Sequence, residues 1–134
     1  MESALKQIRI IWTAMVVAAF IYVWLPEYVQ VQPREIPPSI MPVFAALGVS
    51  MIVAIVVFRK IYISKAELVL QRDSNDASAL LRWRTGQITT MALCEGLVLY
   101  GLVLRFMGAT RYQAASMYIL GIGAFIIFRP QRVQ

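Results

Sequence analysis

Apolar residues along this chain are gathered into four blocks, and polar residues collect between them. The blocks run from Ile10 to Leu25, from about Met41 to Phe58, from Thr85 to Leu104 and from Tyr112 to Phe128. Only Glu95 interrupts them with a charge. Each is close to the roughly 17–25 residues that an α-helix needs to cross a hydrocarbon core about 30 Å thick. Helices are the required form there, because a lipid-exposed backbone has no water to bond with.

The connections predict how these helices are joined. Residues 26–42 hold Pro26, Pro33, Pro37, Pro38 and Pro42, which a helix interior does not tolerate, so this is an extended loop. Pro42 suits the first turn of the second helix. From Arg59 to Gln71 there is no breaker, and Ile61, Ile63, Leu68, Val69 and Leu70 can carry the second helix beyond the bilayer. Asp73-Ser74-Asn75-Asp76 reads as a turn, with Ser74 or Asp76 capping a helix from Ala77. Gly108 ends that helix, and the short link to Arg111 makes the last two helices antiparallel neighbours. The expected helices are 7–25, 41–70, 77–107 and 112–129, in one transmembrane domain.

Composition agrees with lipid as the solvent. Of 134 residues, 60% are hydrophobic and 15% charged, against about a quarter charged in ordinary soluble domains. The net charge of +6 does not point to nucleic acid, because the basic residues stand at block ends and not on one polar face. Counting Lys and Arg sets the orientation. Lys6, Arg9, Arg59, Lys60, Lys65, Arg72, Arg82, Arg84, Arg129 and Arg132 fall on one side; Arg34, Arg105 and Arg111 fall on the other. The prediction is an all-α integral membrane four-helix bundle with both termini in the cytoplasm. A long cytoplasmic helical hairpin joins its second and third helices. A bacterial cytoplasmic membrane is the expected location. Trp12, Trp24, Trp83, Tyr28, Tyr62 and Tyr112 lie near the expected interfaces. Lys6 and Arg9 before an apolar run resemble a signal peptide, but the run is long and ends in Leu25-Pro26 without a small-residue cleavage site. A retained helix is the expectation.

Candidate chemistry is sparse. The chain has no histidine and one cysteine, Cys94, which removes the commonest metal ligand, the usual general base and any internal disulfide. There is no Gly-rich phosphate loop. No metal, no cofactor and no catalytic constellation is expected. Glu95 stands out, because it falls near the bilayer midplane, where an ionised carboxylate is costly and must find a partner. No Lys or Arg shares its depth. Ser50, at a similar depth in the second helix, is the first candidate partner. Ala46, Ser50 and Ala54 on that helix, and Ala92 and Gly96 on the third, form small-residue stripes that let helices approach closely. These predict a tight contact between the two helices with Ser50 near Glu95. Glu95 is then either polar glue or a carboxyl that exchanges a proton. Arg82-Trp83-Arg84 offers a docking point for anionic lipid headgroups or an acidic partner.

The run Ala92-Leu93-Cys94-Glu95-Gly96-Leu97-Val98-Leu99-Tyr100-Gly101-Leu102-Val103-Leu104 resembles the proton-carrying helix of the proteolipid (c) subunits of rotary ATPases. In that family a lone membrane-embedded acid is followed by small residues and often an aromatic-Gly-Leu step. The resemblance implies Glu95 as a proton site. It covers about thirteen of the 134 residues.

Two functional expectations follow. The first is a small non-catalytic accessory subunit that packs against other membrane subunits of a larger complex. The second is a homo-oligomeric proton- or ion-translocating module with Glu95 as carrier.

Overall fold

Blocks of apolar residues become helices in the computed structural model, which describes residues 1–131; Arg132 lies outside them. The order is α1 (Glu2–Tyr28), α2 (Ile40–Phe58), a π-helical turn (Arg59–Ser64), α3 (Lys65–Leu70), α4 (Ala77–Met107) and α5 (Arg111–Ile127). The described residues contain no strand. Three helical stretches are long and apolar enough to cross a membrane: Glu2–Tyr28, the continuous Ile40–Leu70 and Ala77–Met107. The last helix has 17 residues, a length of about 25 Å.

Helix ends follow local chemistry. α1 begins at Glu2, earlier than residue 7, and passes through Pro26 to Tyr28. The loop expected from residue 26 therefore starts one turn later. Proline so near a helix end forfeits one backbone bond without destroying the helix. The end itself is a Schellman motif. The Gln30 amide donates to the Glu27 carbonyl at 3.2 Å, and the Val31 amide to the Pro26 carbonyl at 3.0 Å. Gln30 takes the left-handed conformation, with φ +58°. The same motif ends α4: the Gly108 amide bonds the Arg105 carbonyl and the Ala109 amide the Leu104 carbonyl. Here the left-handed residue is a glycine, with φ +110°.

Between α3 and α4, Asp76 is the N-cap. Its carboxylate accepts from the Ala79 amide at 2.7 Å and the Ser78 hydroxyl at 2.8 Å. These bonds, the Ala79 amide first, hold its pKa below the ordinary aspartate value. α5 starts with a capping box, in which Thr110 and Gln113 exchange side-chain-to-amide bonds. The π turn widens the helix so that consecutive residues, Tyr62 and Ile63, both face Gly86 of α4. The Ser64 hydroxyl donates to the Arg59 carbonyl five residues back, at 3.4 Å.

α4 is the hub. It packs on α5, α1, α2 and α3, and α5 also touches α1 and α2. Within the protein 44% of the apolar stretch of α4 is buried, against 11% for α1 and for the α2 stretch. Its buried face runs Trp83, Gln87, Thr90, Met91, Cys94, Leu97, Val98, Gly101, Leu104, the three-and-four spacing of one helical face. Glycines let α5 approach it: a Cβ on Gly121 would lie 2.5 Å from Val98 Cγ2 and 3.0 Å from the Cys94 carbonyl oxygen. α1 is fastened to α5 by the Trp12 indole, which donates to the Phe125 carbonyl at 3.0 Å. α1 and α2 do not pack on each other.

Candidate functional site

Glu95 projects from the middle of α4 and is half-buried. Its carboxyl makes no hydrogen bond and no ion pair among the described residues. The expected partnership with Ser50 is not formed. Ser50 is exposed, and its hydroxyl donates to the Ala46 carbonyl of its own helix at 2.9 Å. Such back-bonding to the i−4 carbonyl satisfies the hydroxyl locally.

The reason is rotational. α2 buries Gly48 and Ile55, while Ala46 and Ser50 are exposed and Ala54 is half-buried. Gly48 and Ser50 are two residues apart, which is about 200° around the helix. The Ala46/Ser50/Ala54 stripe was expected to meet α4; instead the Gly48 side does so. A Cβ on Gly48 would touch Met117 at 3.3 Å and Leu97 at 3.9 Å. On α4, Ala92 is exposed, and Gly96 meets the Met51 methyl, 3.1 Å from where its Cβ would stand. Of the two predicted stripes, Gly96 meets α2 closely and Ala54 is half-buried, while Ala46, Ser50 and Ala92 are exposed.

The predicted docking triplet also divides. Arg82 is exposed and Arg84 half-buried, but Trp83 is 0% exposed. Trp83 is a core residue and cannot anchor in headgroups. It stands in the buried register of α4, four residues before Gln87, a periodicity that its flanking arginines conceal. Four buried polar atoms at this end have no hydrogen-bond partner among the described residues: Arg59 Nη1, Trp83 Nε1, Arg84 Nε and Gln87 Oε1. The Arg59 guanidinium lies 4.7 Å over the Phe128 ring, a cation–π contact that ties α2 to the end of α5.

At the opposite end the structure assembles a charge cluster that sequence reasoning missed. Arg105, 3% exposed, donates to the Ala109 carbonyl at 2.6 Å and to Glu27 Oε1 at 3.1 Å. Arg111 meets the other Glu27 oxygen at 2.5 Å. The signal was available: Glu27 ends the first helix on the same side as Arg105 and Arg111. The Arg34 amide donates to the Gly108 carbonyl at 2.7 Å, so the Pro-rich loop closes over this end. Tyr28 and Tyr112 are 87% and 91% exposed beside it.

Chemically, the described residues offer a half-buried Glu95 carboxyl without an ion pair in the middle of a long apolar helix, a cluster of two arginines on one glutamate at one end and a basic segment at the other. Comparison with protein-family models, with curated proteins and with solved structures finds no match.

Proposed function

We propose that this chain is a small, non-catalytic accessory subunit that packs against and stabilises the transmembrane region of a larger membrane complex. The observation that carries the reading is the Glu95 carboxyl, half-buried at the middle of α4 with no hydrogen-bond or ion-pair partner among the described residues. A membrane protein retains an intramembrane acid where something answers it. With no donor bonded to it among the described residues, the answer in this reading comes from another chain. Large exposed apolar side chains line every long helix, among them Phe20, Val49, Leu99 and Ile126, and supply surface for lipid and for neighbouring subunits.

In this reading the protein spans the bilayer four times, with both termini and the α3 hairpin in the cytoplasm of a bacterial cell. Support comes from the bias of Lys and Arg toward that side. It also comes from the meeting of α1, α4 and α5 at Glu27, Arg105 and Arg111. Arg82 and Lys65, both exposed, then face anionic headgroups. A cysteine at Ser74, in the loop after α3, is expected to react with an impermeant maleimide only after the cytoplasmic face is opened. Blue-native electrophoresis after mild solubilisation tests the subunit role. Migration in a larger assembly is expected; a free monomer alone overturns it.

The same carboxyl supports a second reading, a homo-oligomeric proton- or ion-conducting module with Glu95 as carrier. Its partial exposure on an apolar face favours this, as does the similarity of residues 92–104 to a proton-carrying helix. It predicts carbodiimide labelling of Glu95 and loss of flux in liposomes for Glu95→Gln. Normal assembly and function with Glu95→Gln excludes it.

A further inference from the structure

α1 and α4 end together where α5 begins, and the start of the Pro-rich loop lies beside them. Between these parts is a cleft of about 490 Å³, whose lining includes Glu27, Gln30, Gln32, Arg105, Thr110 and Arg111. That volume falls within the roughly 300–1,000 Å³ of small-ligand sites. The loop wall is fixed at two points. The Val31 amide donates to the Pro26 carbonyl at 3.0 Å, and the Arg34 amide to the Gly108 carbonyl at 2.7 Å. The arginines are fixed in series. Arg105, 3% exposed, donates to the Ala109 carbonyl and to one oxygen of Glu27. The other oxygen holds Nη2 of Arg111, which is exposed. A long side chain is therefore held at the cleft before a ligand arrives, which lowers the entropic cost of binding.

The charges do not cancel. Two guanidiniums face one carboxylate, and both carboxylate oxygens are taken. The surplus positive charge falls on the exposed member, because Arg111 Nε and Nη1 make no hydrogen bond among the described residues. α5, 17 residues long, brings the positive end of its dipole to the same cleft at Thr110 and Arg111. Gln30 and Gln32 are exposed on the loop wall and offer side-chain amides. Tyr112, 91% exposed, also lines the cleft. The cleft lies where α1 and α4, both long and apolar enough to cross a bilayer, end. Aromatic residues at such ends mark the headgroup level, where the abundant anionic group is a phosphodiester. We infer that the cleft binds a singly charged phosphoryl group, with Arg111 as its principal ligand and Gln30 and Gln32 as neutral donors. Arg105 and Glu27 are positioning residues that act through Arg111. The open edge of a guanidinium suits phosphate oxygens. A phospholipid headgroup and soluble phosphate share this chemistry. Whether Glu95 is glue or carrier does not alter the site.

Calorimetric titration of the full chain in an uncharged detergent tests this, with dihexanoyl phosphatidylglycerol and inorganic phosphate as separate probes. One saturable site is expected for the lipid. Arg111→Gln is expected to weaken it by roughly tenfold or more, the scale of a lost charge-assisted bond. The Arg111 side chain is 75% exposed, so its loss leaves the fold intact. Gln30→Gly keeps the helix end and is expected to weaken binding several-fold. Arg111→Lys falls between wild type and Arg111→Gln, because lysine keeps the charge and loses the fork. Arg72→Gln, at an exposed arginine after α3, is expected to leave binding unchanged. Inorganic phosphate bound as tightly as the lipid, with the same dependence on Arg111, upholds the site and makes its ligand soluble. No saturable binding of either probe overturns the inference. So does binding that Arg111→Gln leaves unchanged, or that uncharged dihexanoyl glycerol equals. None of these results bears on assembly, which native electrophoresis tests separately.

Discussion

Arg105 and Glu27, 78 residues apart in the chain, meet at 3.1 Å where α1 and α4 end. The arginine side chain is 4% exposed and the glutamate 27%, whereas Arg111, the second partner of Glu27, is 75% exposed. Removing one member of a buried pair leaves an uncompensated charge, which costs about 3–5 kcal/mol. Exposed pairs contribute about 0–1 kcal/mol. Glu27→Ala is therefore expected to lower stability in detergent far more than Arg111→Ala. Equal shifts in thermal unfolding for the two variants would show that burial does not govern this cluster.

Two left-handed residues predict opposite signs. Gly108 has φ +110°, and a Cβ there would lie 2.6 Å from Arg34 Cβ and 3.1 Å from the Arg34 nitrogen. Gly108→Ala is expected to cost at least about 1–2 kcal/mol from the backbone alone, with more from displacement of the Pro-rich loop. Gln30 adopts φ +58° with a side chain present. Gln30→Gly relieves that strain and is expected to leave stability unchanged or raise it by up to about 1 kcal/mol. Chemical unfolding of the two variants side by side decides the matter.

The α4–α5 seam separates two glycines on one helix. A Cβ on Gly121 would clash with Val98 and the Cys94 carbonyl, while one on Gly123 meets nothing within 4 Å. Gly121→Ala must push the helices apart, at about 1–3 kcal/mol. Gly123→Ala gains helix propensity, about 1 kcal/mol at most. A Gly121→Ala protein as stable as wild type would mean the seam is looser than its geometry.

Asp76 gives the pH dependence. Its pKa is lowered in the folded protein, chiefly by the Ala79 amide. A carboxyl depressed by folding contributes stability that is present above its unfolded pKa of about 3.9. That contribution disappears as pH falls through the lower folded value. Protection of the Ala79 amide, taken as its intrinsic over its observed exchange rate at each pH, is expected to fall over that acid range. Asp76→Asn keeps a cap and removes the pH dependence, and Asp76→Ala speeds exchange at every pH.

Much of the helical plan could be read from the residues. Long uncharged blocks, the absence of a breaker between Arg59 and Gln71, the Asp-Ser-Asn-Asp turn and Gly108 are local features. They act through backbone geometry and hydrogen bonds a few residues away. Glu95 could likewise be singled out, because an acid in an apolar block is unusual wherever the block packs. The partner of Glu95 could not. Two residues along α2 rotate a side chain by about 200°, so a stripe of small residues at Ala46, Ser50 and Ala54 gives no sign of which side α4 will take. Trp83 misled for the same reason, since its flanking arginines suggested a surface that its buried register denies.

Unaided, the amino-acid order determines that the described chain is helical and that Ile40–Leu70 forms one unbroken stretch. It also determines that stretches long enough to span a bilayer exist, because these follow from hydropathy, length and short-range bonding. Tertiary structure alone decided that α4 is the hub, that Glu27 pairs with Arg105, and that Glu95 has no hydrogen bond or ion pair among the described residues. Those outcomes depend on the rotation of each helix about its axis and on which helices are neighbours. Both are set by the glycine contacts and side-chain fit between segments far apart in sequence, and no local pattern encodes them.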